Sequence, residues 1–349
     1  MKWGVWLWAA AWTAGLGGFV SNASAQPPYP ESGGVILIEA ELASSNTARN
    51  GQAWVVTNDV AGYNGSGFVR AWPDTGTVVA AGWTTNSPQL DFAATFVSNT
   101  TYYAWIRARP TNGDDDSVHI GLNGQTNAGG PVVWTAYNAW GWTNRNQAGG
   151  VATLGVPSSG THTVNLWMRE DGARIDRIVL TRNAAFKPRK GNAWHIPHNH
   201  EPGVGFMRAP IFEIYSNTAV TIFNGNQFQG AGEAGNQLQT GSTIFYKHAT
   251  NSAWSSAPML FHGTSTNNLF YSGTIPSNLF AAGDTVEYYV RVPYSDHLTT
   301  YLCLTGTSST AVEDETYARA NPFRYTVRAP TRVGHPSPGD WRDQNFYFI

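Results

Sequence analysis

Short runs of alternating apolar and polar residues fill the chain from about residue 35 to residue 181. Turn-forming Gly, Asn, Pro and Asp residues separate these runs, and no long run repeats with the helical period of 3.6 residues. Because side chains alternate between two faces along a strand, the pattern predicts short β-strands in a sandwich or barrel. The predicted strands are 36–42, 53–57, 68–72, 89–96, 102–109, 117–122, 152–156, 162–168 and 175–181.

A second β-rich segment follows the first. Its predicted strands are 211–215, 220–223, 243–247, 269–275, 285–292, 300–304 and 322–327. A Pro-rich stretch over residues 184–210 separates the two segments and predicts a linker. The sequence therefore predicts an all-β protein in which a β-sandwich over residues 34–183 is followed by a second β-sandwich over residues 211–329.

The first 25 residues differ in character from both β-rich segments. Lys2 is followed by an apolar, Trp-rich run from Val5 to Val20, and then by the small residues Ala23, Ser24 and Ala25. This pattern predicts a secretory signal peptide over residues 1–25. No other run approaches 18 apolar residues, so we expect no transmembrane helix. We expect a secreted, extracellular protein.

Charge argues against two classes of binding partner, and the cysteine count excludes an intrachain disulfide. The net charge is −2 and only 13% of the residues are charged, which gives no electrostatic basis for binding nucleic acid or an anionic membrane. Cys303 is the single cysteine, so no intrachain disulfide can form. Low charge with abundant Gly, Asn, Thr and Trp is typical of secreted β-rich proteins that act on neutral polymers.

An acidic residue occupies a core-facing position in the strand that closes the first segment. Asp176 shares parity with Ile178 and Leu180, so alternation aims it into the core, where a carboxylate needs a partner charge or a metal. In the opening strand, Glu39 and Glu41 share a face about 6.8 Å apart. Either the three carboxylates converge on a hard cation such as Ca²⁺, or Asp176 pairs with Arg174 or Arg169 while both glutamates are solvated.

These two strands resemble the family 6 and family 35 types of carbohydrate-binding module. The resemblance rests on the Ile-Glu-Ala-Glu segment at 38–41 and on the ExGxxxDxIxL pattern at 170–180, and it covers about residues 34 to 183. It implies a jelly-roll β-sandwich. It also implies a structural calcium held with the help of an opening-strand glutamate and the closing-strand aspartate, here Glu39, Glu41 and Asp176.

Loops of the first segment carry candidate sugar-binding side chains. Sugar sites combine aromatic rings, which stack on the apolar faces of sugars, with polar groups that bind hydroxyls. By position in the related modules, the candidates are Tyr63, Asn64, Trp134, Trp140, Trp142, Glu170 and Asp171. A Trp in the polar loop 129–150 either packs or binds ligand. Trp142 is the expected packing residue and Trp140 the expected ligand contact.

The second segment and the tail resemble parts of starch-active enzymes. The alternation from Ala282 to Val292 resembles Ig-like modules found beside catalytic domains. The last residues, from Gly339 to Ile349, resemble the start of the first barrel strand of the α-amylase family of glycoside hydrolases. We therefore expect residues 330–349 to be a linker and the start of a missing catalytic domain, and a starch-like α-glucan to be the polysaccharide.

Three histidines in the predicted linker are a further candidate site. His195, His198 and His200 carry imidazoles, which are the usual zinc ligands. Their spacing matches no helical metal motif, and Pro197 interrupts it. The alternatives are a transition-metal site and a linker that packs between domains.

The sequence favours non-catalytic polysaccharide binding in the N-terminal region of a secreted α-amylase-family glycoside hydrolase. We expect no enzyme within these 349 residues, because no acid/base pair on a helix, no Ser-His-Asp order and no strong metal motif is present. The alternative is an extracellular adhesin or filament subunit built from β-sandwich domains.

Overall fold

A computed structural model describes residues 26–191, 193–196, 214–217, 219–227, 229–230, 233–234, 241–265, 268–306 and 308–329. The predicted signal peptide, the tail from residue 330 onward, and His198 and His200 lie outside the described residues.

The first sandwich contains fourteen strands and one short helix. The strands are β1 (Tyr29–Pro30), β2 (Val35–Glu39), β3 (Ser45–Thr47), β4 (Ala53–Thr57), β5 (Phe68–Trp72), β6 (Gln89–Phe96), β7 (Thr101–Ala108), β8 (Ser117–Leu122), β9 (Gln125–Thr126), β10 (Val132–Val133), β11 (Gly141–Thr143), β12 (Thr153–Gly155), β13 (Gly160–Met168) and β14 (Arg174–Thr181). The helix is α1 (Trp83–Asn86), and Ala40–Leu42 forms a 3₁₀ turn.

Two seven-stranded sheets form this sandwich. One has the order β1-β6-β13-β8-β10, with β3 beside β6 and β9 beside β8. The other has the order β11-β7-β14-β5-β4, with β12 beside β7 and β2 beside β14. Alternation is clear in β6, where every second residue is buried. The inward side chains, among them Phe92, Ile106, Leu166 and Ile178, form one core between the sheets.

The second sandwich follows directly. Its strands are β15 (Lys187–Lys190), β16 (Ala193–Ile196), β17 (Ile214–Tyr215), β18 (Val220–Gln227), β19 (Gln229–Gly230), β20 (Glu233–Ala234), β21 (Thr243–His248), β22 (Ser255–Pro258), β23 (Leu260–Ser265), β24 (Asn268–Ile275), β25 (Thr285–Val292), β26 (His297–Leu298), β27 (Thr300–Thr305), β28 (Ser308–Val312) and β29 (Phe323–Arg328). Helix α2 (Glu315–Ala320) and a 3₁₀ turn at Ser277–Leu279 complete it.

A four-stranded sheet, β16-β18-β24-β23, faces a larger sheet in the second sandwich. The larger sheet has the order β17-β29-β25-β21-β22, with β27 beside β25 and β28 beside β27. Ile222, Val286 and Val290 are fully buried in the core between them. The predicted fold class, all-β with one β-sandwich following another, is confirmed. No helix of the described part is long and apolar enough to cross a membrane.

Parts of the predicted linker form strands in the structure, at Lys187–Lys190 and Ala193–Ile196. Phe186 is buried, β15 pairs with β26 in parallel, and β16 pairs with β18. Phe186 packs with Val179 and Leu298, and Val35, Leu37, Trp105 and Trp142 pack around them. We call these seven residues the domain seam. Pro and Lys residues surround Phe186 in the sequence, so no apolar pattern predicted that this segment packs in the fold.

Candidate functional site

The closing strand β14 organises the candidate site, because two strands share one of its edges. Strand β2 pairs with the stretch from Arg177 to Thr181, and β5 pairs with Arg174 and Ile175. The end of β2 therefore meets the start of β5 beside Asp176. Glu39 ends β2, and Glu41 lies in the following 3₁₀ turn instead of on the predicted strand. We call Glu39, Glu41 and Asp176 the acidic junction.

Asp176 does not point into the core as strict alternation predicts. The pairing of β14 with β7 shifts register between Ile175 and Arg177. Such a bulge places one extra residue in the strand, so the side chains after it point to the opposite face from the one that strict alternation predicts. The Asp176 carboxylate pairs with Arg107 and accepts hydrogen bonds from Asn64, from the backbone N at 3.0 Å and from Nδ2 at 3.3 Å. It is 0% exposed, and these partners satisfy the charge.

The two glutamates have different partners. Glu39 forms a salt bridge of 2.6 Å with Arg177, which is itself buried. Burial raises the pKa of Glu39 above its usual value, and the Arg177 guanidinium opposes that rise. Glu41 Oε1 accepts from the backbone N of Ser66 at 2.9 Å and from its hydroxyl at 3.1 Å. Glu41 Oε2 is buried with no hydrogen-bond partner among the described residues.

Gly65 shows that the two glutamates approach the same point. A Cβ placed on Gly65 would lie 2.6 Å from Glu41 Oε1 and 3.3 Å from Glu39 Oε2. Its φ is +69°, in the left-handed region that favours glycine. Only glycine therefore lets this loop pass so close to both carboxylates.

The alternative pairing of Asp176 with Arg174 or Arg169 is wrong. Arg174 pairs with Asp115 at 3.1 Å, and Arg169 pairs with Glu170. The two glutamates are half-buried, and each carboxylate accepts hydrogen bonds from the protein. In the described part of the chain, no three His, Cys, Asp or Glu side chains form a group arranged to hold a metal ion. The calcium site stays a prediction.

Three aromatic side chains lie beside the acidic junction. Tyr63 and Trp140 both contact the buried ring of Phe68, with centroid distances of 5.9 Å and 5.1 Å. The Trp140 ring nitrogen donates to the carbonyl of Ala61 at 3.0 Å, and the Arg107 guanidinium lies 5.4 Å from its ring centroid. We call Tyr63, Phe68 and Trp140 the aromatic cluster. Its outer rings are half-buried, so each presents part of its surface to solvent.

Trp134 and Trp142 lie away from the aromatic cluster. Trp134 is buried in the core of the first sandwich, and its ring nitrogen donates to the carbonyl of Gly141 at 3.2 Å. Trp142 packs at the domain seam. Both rings therefore serve packing in this structure.

Glu170 and Asp171 are buried and hydrogen-bonded by the protein. Glu170 Oε2 accepts from the Asp116 backbone N at 3.0 Å and from the Ser117 hydroxyl at 2.9 Å. Asp171 Oδ2 accepts from the Thr75 backbone N at 2.6 Å and from Gln52 at 3.3 Å. The structure thus brings Tyr63, Asn64 and Trp140 together beside the acidic junction and places the other four candidates elsewhere.

Sequence reasoning missed three residues of this site. Arg107 joins Asp176 to the Trp140 ring, Arg177 neutralises Glu39, and Phe68 supports both outer aromatic rings. Parity places Arg107 on the outer face of β7, beside the buried Ile106. The sequence could have indicated Arg107 through this parity. The register of β14 against β7 and β2 decides which charged side chains pair, and the sequence does not show that register.

His195 has a structural place in the second sandwich. Its ring stacks on Phe323 with a centroid distance of 4.0 Å, and Nε2 lies 3.0 Å from the Tyr288 hydroxyl. The metal prediction for the histidine cluster depends equally on His198 and His200, outside the described residues.

Comparison with known proteins adds a family match. Residues 28–188 match the model of the glycosyl hydrolase family 115 C-terminal domain. An uncharacterized protein of Formosa agariphila is 26% identical over 286 residues, covering 70% of this chain and 68% of that protein. The family match likens the first sandwich to the C-terminal domain of a glycosyl hydrolase. It does not show the α-amylase family.

Solved structures with similar chains include carbohydrate-binding modules. The β-(1,4)-mannanase of Podospora anserina, which carries a family 35 module, is 23% identical with a TM-score of 0.32, and the match covers 46% of this chain and 30% of the mannanase. A family 35 carbohydrate-binding module of Clostridium thermocellum is 18% identical with a TM-score of 0.30, covering 42% of this chain and 96% of the module.

Proposed function

We propose that this chain is a non-catalytic, polysaccharide-binding part of a secreted glycoside hydrolase. The observation that carries the proposal is the family match over residues 28–188, which coincides with the first sandwich and its aromatic cluster. Binding an insoluble polymer would keep an attached catalytic domain at high effective concentration near its substrate.

The surface chemistry at the aromatic cluster suits a neutral sugar. Tyr63 and Trp140 offer apolar ring surface for stacking, and the half-buried Asn64 lies between them and the acidic junction. The two arginines beside the junction are paired with Asp176 and Glu39, so they are not available to hold an anionic ligand. Stacking and hydrogen bonds to hydroxyls, and not charge, would provide the affinity.

We also propose a structural calcium at the acidic junction. Glu41 Oε2 is buried and finds no hydrogen-bond partner in the described part of the chain, and Glu39 approaches the same point. All the available donors are oxygens, which suits a hard cation. Glu41 and Glu39 would hold the ion, with Asp176 beside them. Calcium there would add a charge-compensating link between the end of β2 and the loop before β5.

Three finer points remain proposals. Secretion rests on the signal-peptide pattern of residues 1–25, and the α-amylase family rests on the tail after residue 339, both outside the described residues. A starch-like α-glucan is therefore the first polysaccharide to test, together with others of different linkage.

The direct experiment is retention of the chain on insoluble starch, cellulose and xylan. We expect retention on one of these polymers, and weaker retention of Tyr63→Ala, because the half-buried Tyr63 ring contacts Phe68 and presents its remaining surface to solvent. Failure of the wild-type chain to bind any polysaccharide of a wide panel would reject the proposal.

Trp140→Ala needs a stability control, since Trp140 packs edge-on against the buried Phe68. Its thermal unfolding temperature should be measured beside retention. Tyr317→Ala, which removes an exposed tyrosine of α2 in the second sandwich, is the matched control for loss of one exposed ring.

A further inference from the structure

A groove outside the aromatic cluster lies over strands β4 and β5. Its lining consists of Val55, Thr57, Asp59, Arg70 and Trp72, and its volume is about 210 Å³. Val55 is paired with Arg70 across the two strands, so both side chains stand on the same face. We call these five residues the Trp72 groove. Candidate sugar residues chosen from the sequence did not include any of them.

Trp72 is the main exposed ring of the groove. It is 48% exposed, an unusual state for such a large apolar side chain. The Arg70 guanidinium lies 4.6 Å from its ring centroid and bonds Asp74 at 2.6 Å. Arg70 thus fixes the ring from one side while much of its surface faces solvent, which is the arrangement a stacking sugar requires.

Polar groups for sugar hydroxyls stand beside the ring. Asp59 is exposed at the groove, and Thr57 lines it. Asp74 neutralises Arg70, and Arg174, which pairs with Asp115, also interacts with Asp59, so the groove carries no excess positive charge. An acidic sugar would find no unpaired cation there, which leaves a neutral sugar as the ligand.

The groove and the aromatic cluster share strand β5. Phe68, Arg70 and Trp72 follow at every second position of β5 and therefore share a face. Phe68 supports Tyr63 and Trp140, and Trp72 lies four residues further, roughly 13 Å along the strand. This separation exceeds the size of one sugar ring, so a ligand touching both places is an oligomer.

We propose that the Trp72 groove is a second sugar subsite, which binds the same neutral polysaccharide chain as the aromatic cluster. The inference rests on the proposed function and adds to it. An open groove on a sheet face takes an internal stretch of a chain instead of a chain end. Affinity should therefore rise with oligosaccharide length until both places are occupied.

The test is calorimetric titration of the full chain with malto-, cello- and xylo-oligosaccharides, from disaccharide to hexasaccharide. For the series that binds, Trp72→Ala should weaken the hexasaccharide roughly tenfold, as expected for one lost stacking contact, and leave the disaccharide unchanged. Trp72→Phe should restore most of the affinity. Tyr317→Ala should change neither.

The outcomes separate this inference from the proposed function. If the wild-type chain binds and Trp72→Ala binds the hexasaccharide equally well, the groove is not a subsite and the proposed function stands. If wild-type affinity does not depend on length, the inference also fails. If no oligosaccharide or polysaccharide binds, both the second subsite and the proposed function are contradicted. Thermal unfolding of Trp72→Ala and Trp72→Phe identifies any loss that comes from misfolding.

Discussion

At the residue scale, Glu170 and Asp171 show how an acidic turn is used for structure. Both stand in a Gly-containing turn, where polar residues suggest exposure, yet both carboxylates are buried. Their hydrogen-bond donors come from distant parts of the chain, such as Thr75 and Ser117. Composition and spacing cannot reveal such donors, because only the folded chain brings them together.

Asp171→Asn should destabilise the first sandwich by about 2 kcal/mol at neutral pH, because charge-assisted hydrogen bonds are lost. Burial raises the pKa of Asp171, but hydrogen bonds from the backbone of residues 75–77 outweigh it, and the net pKa is lowered. Its stabilising effect is therefore present above the unfolded pKa and is lost as pH falls through the lower folded pKa.

Urea unfolding of both proteins at several pH values checks this prediction. The difference in unfolding free energy should be large at pH 7 and shrink as pH falls below about 4. A difference that stays constant with pH would contradict the electrostatic explanation. Asp114→Asn, at an exposed position of the first sandwich, is the control and should have little effect at any pH.

The buried His119 should make the stability of the first sandwich sensitive to acid. It is buried, it stacks on Trp83 with a centroid distance of 4.1 Å, and burial together with Arg169 lowers its pKa to about 4. The unfolded chain takes up the proton near pH 6.5, so stability falls as pH drops from about 6.5 toward 4, by about 3 kcal/mol in total.

His119→Phe keeps a ring against Trp83 but cannot titrate. We expect its unfolding free energy to decline less than that of the wild type between pH 7.5 and pH 4.5, as measured by urea unfolding. Parallel pH profiles of the two proteins would contradict the assignment of the step to His119.

At the element scale, the meeting of β2, β14 and β5 determines the candidate site. The sequence indicated that the first and last strands carry acids that belong together, because both ends of a domain-sized segment showed the motif. It could not indicate the bulge beside Ile175. A bulge moves the side chains that follow it to the other face of the strand, and no residue type in the sequence marks where it occurs. Asp176 consequently faces Arg107.

Calcium should stabilise this junction if the proposed site is correct. At free Ca²⁺ about 100-fold above its Kd, stabilisation would be about 2.7 kcal/mol, which raises the Tm of a domain this size by several degrees. Differential scanning calorimetry with Ca²⁺, with Mg²⁺ and with a chelator measures the shift.

Glu41→Gln is the informative variant, because Glu41 Oε2 is buried and has no hydrogen-bond partner among the described residues. It should fold and lose the calcium response, while Asp114→Asn should keep it. No calcium-dependent shift in the wild-type protein would contradict the proposal for the metal and leave the sugar site untouched.

At the scale of the whole molecule, alternation of apolar residues was sufficient to predict two all-β units. It was not sufficient at the domain seam, where Phe186 lies in a segment rich in Lys and Pro. Single apolar residues in such a segment carry no periodic signal. Their burial depends on partners from both sandwiches, including Val179 and Leu298, and only tertiary contacts identify these.

Phe186→Ala should weaken the coupling of the two sandwiches, because it removes a buried ring from the domain seam at a cost of about 3 kcal/mol. We expect calorimetric unfolding to start at a lower temperature and to separate into two transitions. Leu279→Ala, at an exposed apolar position, should leave the profile unchanged. An unaltered profile for Phe186→Ala would show that the seam contributes little.

The most direct measurement is a depletion isotherm of the full chain on the insoluble polysaccharide that retains it, with wild-type protein and Tyr63→Ala compared at equal folding. The account predicts saturable binding by the wild type and roughly tenfold weaker binding by the variant. Wild-type protein that shows no saturable binding to any polysaccharide would contradict the central claim, and equal binding by Tyr63→Ala would contradict the position of the site.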